Sequence, residues 1–179
     1  MFDALRKKLG FLYTKIYFKH ERDAITDFTR AMSDARVALV FLPDNEKDLQ
    51  FARLLLPPLQ KKFRGNRLSL VLPEHVKDPM RDVFLCEIIR VREQDLNPLF
   101  LPKEPLRRRI REKSYDVAVD LNIQLHLPSA FLCKVSRSQV RMGIAKQYAD
   151  TFYNFQLRTD TTASAKTIYE HLSNCIAMF

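Results

Sequence analysis

Ala35-Arg36-Val37-Ala38-Leu39-Val40-Phe41-Leu42 is a nearly continuous apolar run, and Leu68–Leu72 and Val117–Leu121 have the same character. A strand that is apolar on successive rather than alternate residues is one buried on both faces. Between these runs the period lengthens. Asp48–Lys62 sets Leu49, Ala52, Leu55, Leu56 and Leu59 on one side, as a helix does. Doubly buried strands separated by helices call for a parallel sheet with helices on both faces. The expected fold class is therefore α/β, a Rossmann-like open parallel sheet.

The patterning predicts five strands, at 35–42, 68–72, 84–91, 116–121 and 139–144. It places helices at 48–62, near 75–82, at 106–113, 129–135 and 163–177, with a kink or restart at Pro57-Pro58. Residues 2–19 precede them as an amphipathic helix. Its apolar row is Phe2, Leu5, Leu9, Leu12, Tyr13 and Ile16, with Arg6, Lys7, Lys8, Lys15 and Lys19 largely outside it and Gly10 weakening its middle. Such a helix either lies in a membrane interface beside anionic lipid or packs back onto the domain. The chain accordingly divides into a basic amphipathic helical extension, 1–32, and a Rossmann-like domain, 33–179.

Composition removes several function classes. Three glycines, all isolated, cannot build a Walker A or dinucleotide-binding loop. Cys86, Cys133 and Cys175 are odd in number and far apart, which suits reduced thiols better than disulfides or zinc. No CxxC or HExxH occurs, and neither a metal nor a cofactor is called for. No run resembles a signal peptide or approaches a spanning helix, so the expected location is cytoplasmic. The formal charge of +9 either serves solubility alone or, as its clustering favours, implies an acidic partner: nucleic acid, anionic lipid, or a phosphorylated or carboxylated substrate. Arg107–Lys113 is the most basic run, but it lacks interleaved aromatics and reads better as a solvated helix face than as a nucleic-acid patch.

In an open parallel sheet, ligands bind at the strand C-termini. Three loops bring polar groups there: Asp44–Asp48, Asn122–His126 and Lys146–Tyr148. Asp48 has two readings, a general base or a helix N-cap, and periodicity favours the cap. Asp120, ending a buried strand, must find hydrogen bonds or a cation. Arg141 on the next strand is the expected partner, in a structural pair. His126 either contacts a substrate phosphate or hydroxyl or packs among leucines.

Four segments in order carry a resemblance: Phe41–Asp48, Tyr115-Asp116-Val117-Ala118-Val119-Asp120-Leu121-Asn122, Arg141-Met142-Gly143, and Phe152-Tyr153-Asn154. Together they resemble the N-terminal, acceptor domain of the family 9 glycosyltransferases, the lipopolysaccharide heptosyltransferases, over residues 35–179. The resemblance implies one half of a GT-B architecture acting in cell-envelope glycan assembly. It puts Asp48 on the base that deprotonates the acceptor hydroxyl for inverting transfer. Lys47, Asn122, His126 and Lys146 fall among acceptor-binding groups, and Asp120, Arg141 and Gly143 among structural ones. The implied partners are an acidic sugar-lipid acceptor, the inner-membrane surface through residues 1–20, and a protein supplying the nucleotide-sugar half, without which the chain is expected to be inactive alone. Lys47 stands where the family has glycine, and Asn122 where it has Gln or His. The alternative readings are a non-catalytic membrane-surface scaffold and, behind it, a nucleic-acid-associated domain.

Overall fold

The computed structural model of the chain describes residues 2–76, 86–160 and 162–177. In chain order the elements are α1 (Phe2–Tyr17), α2 (Phe28–Asp34), β1 (Ala38–Phe41), α3 (Glu46–Ala52), α4 (Leu56–Lys62), β2 (Leu68–Pro73), β3 (Glu87–Val91), α5 (Glu104–Arg111), β4 (Val117–Asp120), α6 (Leu127–Val135), β5 (Val140–Ile144), β6 (Phe155–Leu157) and α7 (Ala165–Ile176).

The strands form one parallel sheet of order β3-β2-β1-β4-β5-β6. This doubly wound order reverses between β1 and β4, the switch point beyond whose carboxyl ends open sheets of this kind place their ligand crevice. Residues of opposite parity feed two separate cores. Val40, Leu70, Val119 and Met142 face α2, α3, α4 and α7. Leu39, Phe41, Val71, Ile89 and Ala118 face α5 and α6. Every residue of α6 is buried, because the sheet covers one side of it and α1 lies against another.

Local chemistry accounts for the boundaries. Pro57 and Pro58 occupy the first turn of α4, where a missing N–H costs nothing, so the helical stretch restarts there after a 3₁₀ turn at Arg53–Leu55. The Asp116 carboxylate accepts the backbone N–H groups of Arg36 and Val37 at 2.8 and 2.9 Å, pinning the segment leading into β1 beside β4. The five expected strands are present, somewhat shorter than their apolar runs. The expected third strand begins at 84, and 84 and 85 lie outside the described residues, as does most of the expected helix near 75–82. Two elements were not expected. The sheet gains β6 on the β5 edge, and α2 is capped by Asp27, whose side chain accepts from Arg30 N.

The N-terminal helix docks on the domain with the face opposite to its apolar row. Gly10 and Thr14 are its buried positions. A Cβ at Gly10 would meet Leu99 O at 2.5 Å and Leu127 Cδ2 at 2.6 Å, so glycine is what lets α1 approach. Phe11 stacks on Tyr148 at 5.3 Å, and Phe18 enters the core beside Phe131. Among the described residues no helix is long and apolar enough to cross a membrane.

Candidate functional site

The loop after β1 turns into α3 at Asn45. Its Oδ1 accepts from the Asp48 N–H at 2.9 Å, so Asn45 is the N-cap, and the expectation that Asp48 caps the helix is corrected. Asp48 sits one turn inside, with Oδ2 accepting from Asn45 Nδ2 at 2.9 Å. Among the described residues its Oδ1 has no hydrogen-bond partner. Asn45 therefore fixes one carboxylate oxygen of Asp48 and leaves the other available. The Asn-x-x-Asp spacing was a readable signal for this arrangement.

Beside it, the Tyr169 phenol of α7 donates to Leu121 O at 2.8 Å. Burial, reinforced by the negative charges of Asp48 and Asp120, pushes this phenol well above its ordinary pKa. Tyr169 thus lies near both Asp48 and the end of β4.

Asp120 is almost wholly buried and does not pair with Arg141. Its Oδ1 accepts from Asn122 N at 3.0 Å and Nδ2 at 2.7 Å, and its Oδ2 accepts from Tyr153 Oη at 2.7 Å. Register explains the correction. Arg141 is level with Ala118, nearer the start of the strand, and its guanidinium runs to the other end of the sheet. There it donates to Phe152 O and Ser138 O, and lies 2.6 Å from Asp23 Oδ1. Burial pushes the Asp120 carboxyl up to about 6, against the Asn122 and Tyr153 hydrogen bonds that pull it down, and the Asp44 charge adds to the rise. Gly143 makes room for the Tyr153 ring, since a Cβ there would sit 2.5 Å from Cε2.

His126 precedes α6 and shares a 2.8 Å hydrogen bond between Nδ1 and Ser129 Oγ; Asn122 Nδ2 approaches the same oxygen at 3.5 Å. Burial lowers the His126 pKa, with Lys7 and His75 lowering it further and Asp44 opposing them. His75 Nε2 in turn donates to Asp44 O at 3.0 Å. The crevice edge thus joins Asp44, His75, Asn122, His126 and Ser129 with Asp48 and Asp120. Ser129, Asn45, His75 and Tyr169 were not expected at it, because partners brought together by the crossing of loops leave no mark in local spacing.

Lys47 is exposed in the first turn of α3, on ordinary helical backbone that needs no glycine. Lys146 lies at the same sheet edge after β5, half-buried. Among the described residues neither side chain has a hydrogen bond or ion pair. An open cleft of about 590 Å³ beyond β2 and β3, lined in part by His75, Glu74 and Arg92, adjoins the crevice. Among the described residues no group of acidic, His or Cys side chains is fit to hold a metal. The cysteines are free thiols, and burial pushes that of Cys133 well up.

The basic run of α5 is engaged in structure. Arg107 and Arg111 pair with Glu104, and Arg109 reaches Ile88 O. Lys113, just beyond the helix, bonds Ser69 Oγ and Glu87.

No protein-family model matches the sequence, and no curated protein does. Solved structures do match in fold. Over 77% of this chain and 46% of the other, the structure is similar to E. coli heptosyltransferase WaaC with ADP, at 18% identity and TM-score 0.58. It is also similar to the glycosyl transferase family 9 protein from Veillonella parvula DSM 2008, over 88% of this chain and 44% of the other, at 15% identity and TM-score 0.63. The likeness is one of fold, a glycosyltransferase-like Rossmann sheet, as the resemblance of Tyr115–Asn122 and its companions leads one to expect. This chain spans less than half the length of either structure.

Proposed function

We propose that the chain is the acceptor-side half of a GT-B-type glycosyltransferase working on an anionic sugar-lipid in cell-envelope glycan assembly. A second Rossmann-like unit, from further sequence or a separate chain, would hold the nucleotide-sugar. The observation that carries this reading is Asp48: a carboxylate at the sheet's switch point, positioned through one oxygen by Asn45 with the other available. In transfer, Asp48 takes the proton of the acceptor hydroxyl as its oxygen attacks the donor's anomeric carbon from the side opposite the leaving diphosphate, inverting that centre. Asn122 and His126 orient the acceptor's hydroxyls across the crevice, and Lys47 and Lys146 offer cations to its acidic groups. The fold likeness to the heptosyltransferase structures and the +9 charge support the assignment of an acidic acceptor.

The test titrates the chain with a water-soluble phosphorylated oligosaccharide and follows backbone NMR shifts. Saturable shifts confined to 44–48 and 122–126, weakened by Lys47→Glu, are expected. Asp48→Asn should keep this binding while abolishing transfer in the presence of a donor-binding half. No saturable binding by any phosphorylated or carboxylated saccharide would overturn the proposal. Lys47 in the glycine position favours a second reading, a non-catalytic binding module, in which Asp48→Asn changes nothing.

A further inference from the structure

The packing of α1 leaves its apolar row turned outward. Phe2, Leu5, Leu9, Leu12, Tyr13 and Ile16 are all exposed, with Phe2 at 79% and Ile16 at 66%. At 3.6 residues per turn they form one stripe nearly opposite Gly10 and Thr14, the positions that meet the domain. A helix in water normally buries such a stripe. Here the docked face is held instead by the Gly10 contact, by the Phe11–Tyr148 stack, and by cations over rings: Arg6 over Phe100 at 4.7 Å and Lys15 over Tyr148 at 4.8 Å. Phe100 and Tyr148 both adopt left-handed backbone, at φ 60° and 70°. That conformation is costly for a side-chain-bearing residue. The orientation of α1 is therefore built by several independent contacts.

Lys8 borders the stripe on the helical wheel, and Lys19 follows two residues past the end of the helix. The only acidic residue of α1 is Asp3, and Arg6 already pairs with it at 3.1 Å. A second copy of the chain would bring the lysines of two such faces together without counter-charges. A bilayer surface receives both features: acyl chains and headgroup boundary take the apolar side chains, and anionic headgroups take the lysines, whose stems bend toward them.

We propose that the outward face of α1 docks the protein on an anionic lipid surface, lying in its plane. Gly10 contacts Leu127, the residue after His126, so the docked helix runs beside the mouth of the crevice. Presentation of a lipid-borne acceptor to Asp48 rests on the function proposed above; the docking itself rests on α1.

The experiment is co-sedimentation of the chain with vesicles of phosphatidylethanolamine and phosphatidylglycerol, against vesicles of phosphatidylcholine alone, with sedimentation velocity in their absence. Binding to the anionic vesicles by a monomer is expected, with little on the neutral ones. The triple variant Leu5→Glu, Leu12→Glu, Ile16→Glu should lose binding with an unchanged melting curve, because those side chains touch solvent. Lys8→Gln and Lys19→Gln should each weaken low-salt binding about fivefold. Asp48→Asn should bind vesicles like the parent chain, so that failure of docking and failure of the acceptor reading are separately visible. Absence of binding to anionic vesicles, or full binding by the triple variant, would overturn the proposal. So would a dimer that the triple variant dissolves, which would make a second copy the occupant.

Discussion

Tyr153 Oη donates to Asp120 Oδ2 across 2.7 Å, and the ring that carries it lies against Gly143 where any Cβ would collide with it. One missing side chain on β5 thus permits the hydrogen bond that satisfies the buried end of β4. Gly143→Ala should displace the ring and cost about 2–4 kcal/mol, combining overpacking with a buried carboxylate oxygen left unpaired. Tyr153→Phe, which keeps the ring, should cost about 1–3 kcal/mol. Urea unfolding measures both, and a neutral Gly143→Ala would show that the ring has elsewhere to go.

Asp120 gives stability a pH dependence of unusual sign. Burial raises its carboxyl to about 6 in the folded chain, above an ordinary value of 3.8. The folded state keeps a proton that the unfolded chain releases, so the contribution of this group is greatest below the unfolded value. It declines as pH rises through the window and is constant above it. The span is roughly 3 kcal/mol. Asp120→Asn should therefore gain on the parent chain as pH is raised from about 4 to about 6, with a flat difference above. His126, whose pKa burial lowers, acts in both proteins and cancels in that comparison. A difference independent of pH would contradict the assignment.

Asp23 ties the segment after α1 to the domain by lying 2.8 Å from Lys134 Nζ and 2.6 Å from Arg141 Nη2. Both cations are buried, at 7% and 6% exposure, while Asp23 is 35% exposed. Burial tends to raise the Asp23 carboxyl, yet Lys134 and Arg141 outweigh it and hold it below its usual value. Its stabilisation is thus present above the unfolded pKa and lost as pH falls through the folded one. Asp23→Asn should cost about 2–3 kcal/mol at neutral pH, less than a fully buried pair because solvent reaches the carboxylate. Thermal melts of the two proteins should differ at pH 7 and converge at acid pH.

Asn45→Ala removes both the cap of α3 and the group that orients Asp48. The expected stability loss is about 1 kcal/mol. Asn45→Ser, which can still cap, should restore stability without restoring the Nδ2 contact to Asp48. If Asp48 is the base, transfer by Asn45→Ser stays reduced while its melting temperature recovers. Recovery of both together would assign Asn45 to helix capping alone.

The sheet was legible because its information is local. Val117-Ala118-Val119 and Leu70-Val71-Leu72 are apolar on successive residues, and only a doubly covered strand tolerates that. The restart at Pro57-Pro58 was legible for the same reason, since proline acts on its own turn. Phe155–Leu157 was missed because three residues of an edge strand, with Gln156 between two apolar positions, carry no distinct period. Phe28–Asp34 is two turns long, too short for its pattern to stand out.

What the sequence by itself determined is the alternation of strand and helix, the parallel sheet, and the presence at its carboxyl edge of Asp48, in the first turn of α3, and of Asn122, His126 and Lys146. Tertiary structure alone decided the pairings. Asp120 and Arg141 are an acid and a base on adjacent strands, yet strand register sends the arginine to Asp23 and leaves the carboxylate to Tyr153 and Asn122. In α1, periodicity identified an apolar row, but the close approach at Gly10 chose the opposite face for docking. Period is a property of one segment; which side chains meet depends on register, on the direction of neighbouring elements, and on where a missing Cβ lets two backbones close.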